Sequence, residues 1–89
     1  EALRIGFVHE VVAADQLDAK VGEWLKALTS ASPNALRACK RLVLDVAERE
    51  INAQLIAATV EGIADIRASS EGKEGVQSFL QKRKPAWLV

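Results

Sequence analysis

Residues 51–68 read INAQLIAATVEGIADIRA, and this stretch decides the fold class. Its apolar residues recur every three or four positions, which is the period of an α-helix. They form two stripes on the same cylinder: Ile51, Leu55, Ala58, Gly62 and Ile66, and then Ile56, Val60 and Ile63. A helix that is apolar on two sides usually lies between packing partners. The stretch therefore predicts a helix that is covered on both sides.

The residues before this stretch predict two more helices. Asp15 is the expected N-cap of the first, with Asp18 three positions later as a weaker form of the capping box. Ser32 and Pro33 open the second as N-cap and first helical residue, where the missing proline N–H has no cost. The expected buried faces are Leu17, Val21, Trp24, Leu25 and Leu28 in the first helix, and Leu36, Cys39, Leu42, Val43 and Val46 in the second.

Residues 1–12 predict the end of a helix and an extended segment, but no complete helix. Residues 1–6 predict the last turn of a helix, which Gly6 would end with a positive φ. A helix end without its beginning indicates a truncated chain, and a short native N-terminal turn is the alternative. Residues 7–12 are rich in β-branched side chains and predict a brief strand or an extended segment.

A last helix follows the central one. Ser69 or Ser70 is its expected N-cap, and Pro85 is expected to stop it. Its apolar face consists of Val76, Phe79 and Leu80. The sequence thus predicts an all-α fold, a small helical domain of about four helices with a short extended N-terminal segment. Its surplus of apolar surface indicates oligomerisation or a missing domain.

Composition argues against several classes of partner. Lys plus Arg and Asp plus Glu number 12 each, so no global field attracts nucleic acid, an anionic membrane or an acidic substrate. No apolar run approaches the roughly 18–20 residues of a membrane span, and no signal peptide opens the chain. The single cysteine excludes an internal disulfide and fits a reducing compartment, so we expect a cytoplasmic location.

The spacing of the polar side chains predicts neither a catalytic site nor a metal site. His9 is the only histidine, with no second ligand at metal spacing and no orienting partner for work as a general base. Cys39 lies on an apolar helix face, where a packed thiol is expected rather than a nucleophile. Five carboxylates on polar faces are interpreted as solvated helix charge: Asp45, Glu48, Glu50, Glu71 and Glu74.

The stretch from residue 70 to residue 87 is more informative. Gly72 and Gly75 each cost a helix about 1 kcal/mol relative to alanine, so they indicate close approach of another surface. Phe79 and Lys82 are three positions apart and would share one side of a helix. An apolar ring beside a cation suits a ligand with a flat base and a phosphate. A solvated basic tail over a core phenylalanine is the alternative.

This stretch resembles the closing motif E-G-x-x-x-F-x-x-K-R-x-P of the enoyl-CoA hydratase/isomerase (crotonase) family. Residues 1–12 are similar to the family's A-x-x-x-G-L-V-x-x-V segment. Residues 32–40 resemble the proline-started helix that follows that segment and ends in lysine. The three blocks keep their order and spacing across nearly all 89 residues, so together they are specific.

The resemblance implies a division of tasks within a larger protein. In the family, a core of ββα units holds the acyl-CoA, two backbone N–H groups form an oxyanion hole, and one or two carboxylates move protons or activate water. All of these precede the matched region, so no catalytic residue is expected here. Residues 1–12 would be the end of that core. Residues 13–89 would be a C-terminal helical region that drives trimerisation and covers an active site.

The resemblance also implies a ligand contact. The family's motif places an aromatic residue and a lysine against bound CoA, and these positions are Phe79 and Lys82 here. Some members carry an acyl-pocket aromatic near the place of Ile63, where isoleucine argues against acyl-chain contact. The implied partners are the N-terminal core, further copies in a trimer or a dimer of trimers, and an acyl-CoA substrate. No nucleic acid, membrane, metal or other cofactor is implied.

The sequence therefore predicts the C-terminal assembly and CoA-contact part of an enoyl-CoA hydratase or isomerase of fatty acid metabolism. A hydro-lyase is favoured and a hydrolase stays open, because these reactions differ in carboxylates outside the matched region. Residues 67–72 favour branched or dicarboxylic enoyl-CoA substrates. The alternative is a free-standing helical protein-interaction module. Nucleic-acid binding through the three bases at 82–84 is disfavoured, since an aromatic platform and a net positive charge are missing.

Overall fold

The computed structural model describes residues 1–88 and confirms the all-α fold. A 3-10 turn at Ala14–Gln16 leads into helix α1 at Leu17–Ser30. The remaining helices of this part of the chain are α2 at Pro33–Val46, α3 at Ala53–Ala68 and α4 at Ser70–Leu80. Val89, the last residue of the predicted helical region, lies outside the described residues. The division of the chain after residue 12 stays a prediction.

Three of the helices begin at side-chain caps. Ser32, Asn52 and Ser69 each accept a hydrogen bond from the backbone N–H three residues later, at 3.2, 2.9 and 3.1 Å. Each cap satisfies one of the N–H groups that the first turn of a helix leaves without a partner. The predicted cap at Ser32 is confirmed, and of the two serines proposed for the last helix it is Ser69 that caps.

The predicted N-cap at Asp15 is wrong. The chain turns into helical conformation earlier, with Ala13 in the extended conformation of an N-cap residue at φ −63° and ψ 149°. Asp15 therefore lies inside the 3-10 turn, and α1 begins after Gln16 without a side-chain cap. Its carboxylate still lies near the positive end of the helix dipole, where a negative charge is favourable.

At the start of the chain residues 2–6 form a hydrogen-bonded turn and no assigned helix, but the predicted left-handed Gly6 is confirmed. Gly6 has φ 76°, its N–H donates to Leu3 O at 3.1 Å, and the Phe7 N–H donates to Ala2 O at 2.9 Å. These two bonds are the Schellman pattern of a helix C-terminus, which needs a left-handed residue at the place of Gly6. Residues 7–12 follow as bends and irregular backbone, and no strand occurs within residues 1–88, so the strand alternative is wrong.

The end of α4 differs from the prediction. The helix stops at Leu80, well before Pro85. Lys82 adopts a left-handed conformation with φ 52°, which turns the chain out of the helix. A left-handed residue thus ends α4, and the proline only follows it.

The main packing contact joins α3 and α4, and α2 also packs against α3. Leu55 of α3 and Ser78 of α4 are the buried residues of the described part, with 6% and 4% of their surfaces exposed. The chain measures 43 × 40 × 15 Å, and its radius of gyration is 17.2 Å. A compact domain of this length has a radius of gyration of about 12 Å. The four helices therefore form a flat layer with little core.

The predicted burial of two helix faces is wrong for this chain. Leu36, Leu42 and Val43 on α2 are exposed, and so is the Cys39 thiol between them; Val46 alone of that face is half-buried. The predicted face of α1 is exposed as well: Leu17, Val21, Trp24, Leu25 and Leu28. Periodicity identified which residues share a face. The described residues simply supply nothing that covers these faces.

The central helix is covered at two positions of one side only. In its first stripe Leu55 is buried and Ile66 half-buried, whereas Ile51, Ala58 and Gly62 are exposed. The second stripe, Ile56, Val60 and Ile63, is 53%, 60% and 65% exposed. The prediction of a helix covered on both sides is therefore wrong within residues 1–88. Each helix of this part is too short or too polar to cross a bilayer.

Candidate functional site

The two residues predicted to contact CoA lie at the C-terminal end of α4. The Lys82 N–H donates to Phe79 O at 3.2 Å, and the Arg83 N–H donates to Ser78 O at 3.0 Å. This is again the Schellman pattern, with Lys82 in the left-handed position that glycine usually occupies. Lys82 lies just beyond the helix, so the prediction that it shares a helix side with Phe79 is wrong. The hydrogen bond nevertheless holds the two residues together.

Both side chains are accessible to a ligand. The Phe79 side chain is 82% exposed, so the alternative of a core phenylalanine under a basic tail is wrong for this chain. Lys82 is exposed and forms no salt bridge within residues 1–88. An exposed ring and an uncommitted cation thus belong to two residues joined by a backbone hydrogen bond at one helix end. Whether CoA binds them stays a prediction at this point.

An ion pair between Glu74 and Arg83 joins α4 to the chain that follows Lys82. Glu74 in α4 accepts two parallel hydrogen bonds from the Arg83 guanidinium, at 2.5 Å to Oε1 and 2.8 Å to Oε2. Glu74 Oε1 also accepts the Ala86 N–H at 2.9 Å. The Arg83 guanidinium, and then the Ala86 N–H, lower the pKa of the Glu74 carboxyl from 4.5 to about 2. The interpretation of Glu74 as plain solvated charge is therefore wrong.

The chain after Arg83 folds back over α4. The Trp87 Nε1–H donates to Ser30 O at the end of α1, at 3.2 Å. A Cβ added at Gly75 would lie 3.3 Å from the Trp87 ring, so the glycine lets the ring approach the helix closely. The prediction that Gly75 marks a close approach is confirmed, and the approaching surface is this chain's own tryptophan.

Gly72 marks a second close approach. A Cβ at this position would lie 2.2 Å from Ile66 O and 2.9 Å from Arg67 O. Real Cβ atoms essentially never come this close to backbone oxygen, so only glycine fits here. The sharp turn from α3 into α4 depends on this contact, because the start of α4 lies directly against the last turn of α3.

Glu71 ties α4 to the start of α2. It accepts hydrogen bonds from the Ser32 hydroxyl, from the Asn34 N–H at 3.0 Å and from Asn34 Nδ2 at 2.8 Å. The Ser32 hydroxyl first, and the Asn34 N–H second, hold the pKa of the Glu71 carboxyl below its usual 4.5. The interpretation of Glu71 as solvated charge is wrong too. A carboxylate near a helix N-terminus also complements the helix dipole.

An open groove of about 410 Å³ lies between α2, α3, α4 and the Trp87 ring. Ser32, Ile66 and Val76 contribute to its mainly apolar lining. Neither Phe79 nor Lys82 lines it, so the expected CoA contact lies outside this groove.

Neither His9 nor Cys39 is placed in a group that could perform catalysis or bind a metal within residues 1–88. The His9 ring packs edge-on against the Trp24 ring, with centroids 5.8 Å apart and an interplanar angle of 77°. Across residues 1–88, no three His, Cys, Asp or Glu side chains are grouped so that they could hold a metal ion. Cys39 is exposed rather than packed.

Comparison with known proteins identifies the family. The family model described as enoyl-CoA hydratase/isomerase matches residues 1–88. The chain belongs to this family. The resemblance noted in the closing motif, the opening segment and the proline-started helix is thereby confirmed over nearly the whole chain.

Individual relatives in the enoyl-CoA hydratase/isomerase family are distant. Enoyl-CoA hydratase domain-containing protein 3, mitochondrial, of Mus musculus is 31% identical over 87 residues, covering 98% of this chain and 29% of the relative. Carnitinyl-CoA dehydratase of Salmonella typhi is 28% identical over 90 residues, covering 98% of this chain and 34% of the relative. The chain thus spans about a third of the length of these relatives. No solved structure gives a significant match.

Sequence reasoning proposed Phe79 and Lys82 as the ligand contact, which stays a prediction, and missed how the surrounding chain is held. The roles of Glu71 and Glu74 were missed because both depend on partners that the fold brings together, 39 and 9 positions away. A signal was present for one of them: Glu74 and Arg83 are opposite charges that flank the end of a helix. For Glu71 the sequence offers no local signal.

Proposed function

We propose that this chain acts as the C-terminal helical region of an enoyl-CoA hydratase/isomerase family protein, where it contacts the CoA part of the substrate and takes part in assembly. The observation that carries the proposal is the pair at the end of α4. Phe79 is 82% exposed, and Lys82, three positions later, forms no salt bridge within residues 1–88. The resemblance in the closing motif assigns the family's aromatic and lysine positions to these two residues.

The chemistry of the pair suits a CoA ester. A lysine is a flexible point charge that matches a phosphate, and an exposed ring gives apolar cover to an adenine or a pantetheine arm. Lys82 would contact the nucleotide end of the ligand, remote from the reacting carbons. Its contact should then be equal in the ground state and the transition state, which affects KM and leaves kcat unchanged.

The exposed apolar faces support the assembly role. The accessible surface of the chain is 7755 Å², whereas a compact monomer of 9.6 kDa exposes about 5,100 Å². Large apolar surfaces of this kind usually mark contact with another protein surface. The proposed partners are the N-terminal core of the same protein and further copies in a trimer or a dimer of trimers. A free-standing interaction module would need similar faces, but the family match over residues 1–88 favours the enzyme.

The proposal also includes a reaction class and a cellular location, but no specific substrate. One relative is named a dehydratase and another an enoyl-CoA hydratase domain-containing protein, and both names are consistent with a hydro-lyase of enoyl-CoA metabolism. The cytoplasmic location expected from the single cysteine stays a prediction, which cell fractionation tests; the mouse relative is named as mitochondrial.

The isolated 89-residue chain is proposed to be inactive. Catalysis in this chemistry depends on hydrogen-bond donors aimed at the oxygen of a thioester enolate. Residues 1–88 offer four salt bridges, helix caps and exposed apolar faces, and none of these forms a pair of donors of that kind. The hydration of an enoyl-CoA by the purified chain should equal the buffer rate. Turnover that survives purification from an expression host lacking its own hydratases would contradict this part of the proposal.

The CoA contact is tested by kinetics of the full-length protein. Lys82→Ala should raise KM for an enoyl-CoA about fivefold at unchanged kcat, since a solvent-exposed charge contact is worth little more. The same variant should leave KM for the matching enoyl-pantetheine unchanged, because that substrate lacks the nucleotide. Lys73→Ala is the matched control, since it removes an exposed lysine that lies within α4, two turns before Lys82. Equal damage to both substrates, or none to either, would contradict the proposed CoA contact.

A further inference from the structure

The three consecutive bases at the end of α4 are not equivalent in the structure. Arg83 is fully committed within the chain: it donates to both Glu74 carboxylate oxygens, to Gln81 Oε1 at 2.7 Å and to Lys84 O at 3.2 Å. The neighbouring Lys82 forms no salt bridge in the described part of the chain. Lys84 forms none there either, so Arg83 holds the local structure and the two lysines keep their charges available.

The backbone at Lys82 is held in a conformation that its side chain disfavours. Its φ of 52° is left-handed, where a Cβ meets the following carbonyl oxygen, and helix ends of this kind usually use glycine. Non-glycine residues keep such a conformation when the surrounding contacts over-determine it, which often happens at functional sites. Gly6 has the equivalent left-handed conformation near the start of the chain, and Glu48, two residues beyond α2, is a second non-glycine residue with positive φ, at 59°.

Two backbone hydrogen bonds of the Schellman pattern hold Lys82 at the helix end, and the side-chain contacts added to them come from one carboxylate. Glu74 lies two turns back in α4 and joins the backbone on the far side of Lys82 twice, through the Arg83 guanidinium and through the Ala86 N–H at 2.9 Å. The Glu74 side chain is 24% exposed and the Arg83 side chain 40% exposed, so the pair is partly shielded from water. The bidentate geometry fixes direction as well as distance.

We propose that Glu74 and Arg83 are a positioning pair, whose bidentate ion pair fixes the left-handed backbone of Lys82 and so sets the place of its ammonium group beside Phe79 for the CoA nucleotide. Neither member of the pair touches the ligand; both act through Lys82. The inference rests on the proposed CoA contact and adds the residues that make this contact precise. Without the two Glu74 contacts, Lys82 would have more conformational freedom to lose when CoA binds, and the affinity for CoA would be lower.

The test is a double-mutant cycle in the full-length protein. Arg83→Lys keeps the charge but cannot form the two parallel bonds, so it separates position from net charge. We expect it to raise KM for an enoyl-CoA about threefold to fivefold at unchanged kcat, and to leave KM for the matching enoyl-pantetheine unchanged. In a Lys82→Ala background the same substitution should have no further effect, because the residue through which it acts is gone.

The outcomes separate the positioning role from the proposed function. If Lys82→Ala itself leaves the enoyl-CoA KM unchanged, the proposed CoA contact fails and the positioning role fails with it. If Lys82→Ala raises KM but Arg83→Lys has no effect, or has the same effect in both backgrounds, the positioning role is overturned while the CoA contact stands. Equal damage by Arg83→Lys to the enoyl-pantetheine reaction would make the ion pair merely structural, which also overturns the inference. Glu74→Asp, which keeps the charge and shortens the reach, should repeat the effect of Arg83→Lys.

Discussion

At the scale of single residues, Lys82 has a backbone conformation that is unfavourable for a non-glycine residue, together with a cationic side chain that suits a phosphate. Its left-handed φ would suit glycine better, and the Schellman bonds around it involve only backbone atoms. The side chain is therefore unnecessary for ending the helix. The proposed CoA contact would account for its presence, and in that case stability and binding should respond in opposite directions when Lys82 is replaced by glycine.

Lys82→Gly is expected to stabilise the chain by about 1 kcal/mol, because it removes the steric cost of a Cβ in the left-handed region. In the full-length protein it should raise KM for an enoyl-CoA as much as Lys82→Ala does. Urea unfolding of the chain, followed by far-ultraviolet circular dichroism, measures the first effect. Lys73→Gly is the matched control, since glycine inside α4 should destabilise by about 1 kcal/mol. A Lys82→Gly variant less stable than the parent chain would contradict the strain at this position.

At the scale of helices and their junctions, two glycines allow a matched comparison. Gly72→Ala should destabilise by about 1–3 kcal/mol, because its Cβ would lie 2.2 Å from Ile66 O and push α4 away from α3. Gly62→Ala lies within α3, where an added Cβ meets nothing within 4 Å, and should stabilise by about 1 kcal/mol. Urea unfolding of both variants tests the junction. Equal effects of the two substitutions would contradict the close approach at Gly72.

The Glu74–Arg83 ion pair joins α4 to the chain that follows it, and its contribution to the free energy of unfolding should depend on pH. The pKa of the Glu74 carboxyl is lowered from 4.5 to about 2 in the folded chain, so its contribution to stability is present above pH 4.5 and is lost as pH falls toward 2. Unfolding midpoints of the chain and of Glu74→Gln, measured from pH 7 down to 2, should therefore differ at neutral pH and converge at low pH. A difference that stays constant across this range would contradict the ion pair.

The elements that could be predicted from sequence are those decided locally. The caps at Ser32 and Ser69 and the left-handed Gly6 follow from short-range chemistry, and all three are confirmed. Asp15 was misplaced because a 3-10 turn begins earlier than the capping pattern suggests. The contacts of Glu71 and Glu74 could not be predicted, because each joins segments that only the folded backbone brings together.

At the scale of the whole chain, the predicted faces and the observed burial disagree in an informative way. Leu36, Leu42 and Val43 share a face of α2 as their period predicts, yet they are 36%, 45% and 61% exposed. Periodicity tells which residues lie on one face, but it does not say which partner covers that face. With a radius of gyration of 17.2 Å, the flat arrangement leaves these faces uncovered within residues 1–88, and the proposed larger protein would supply the surface that covers them.

The reactivity of the Cys39 thiol shows whether another protein surface covers the apolar face of α2, because the thiol is exposed on that face in this chain. The measurement is the rate at which a small uncharged thiol reagent labels Cys39, followed by mass spectrometry of its peptide. The isolated chain is compared at low micromolar concentration with the full-length protein, and urea-unfolded samples serve as the fully accessible reference. If the α2 face packs against the rest of an enoyl-CoA hydratase/isomerase family protein, labelling in the full-length protein should be slower by about tenfold or more, since a covered thiol reacts only through local opening. Equal labelling rates in the two samples would contradict the proposal that this helical region is completed by the larger protein.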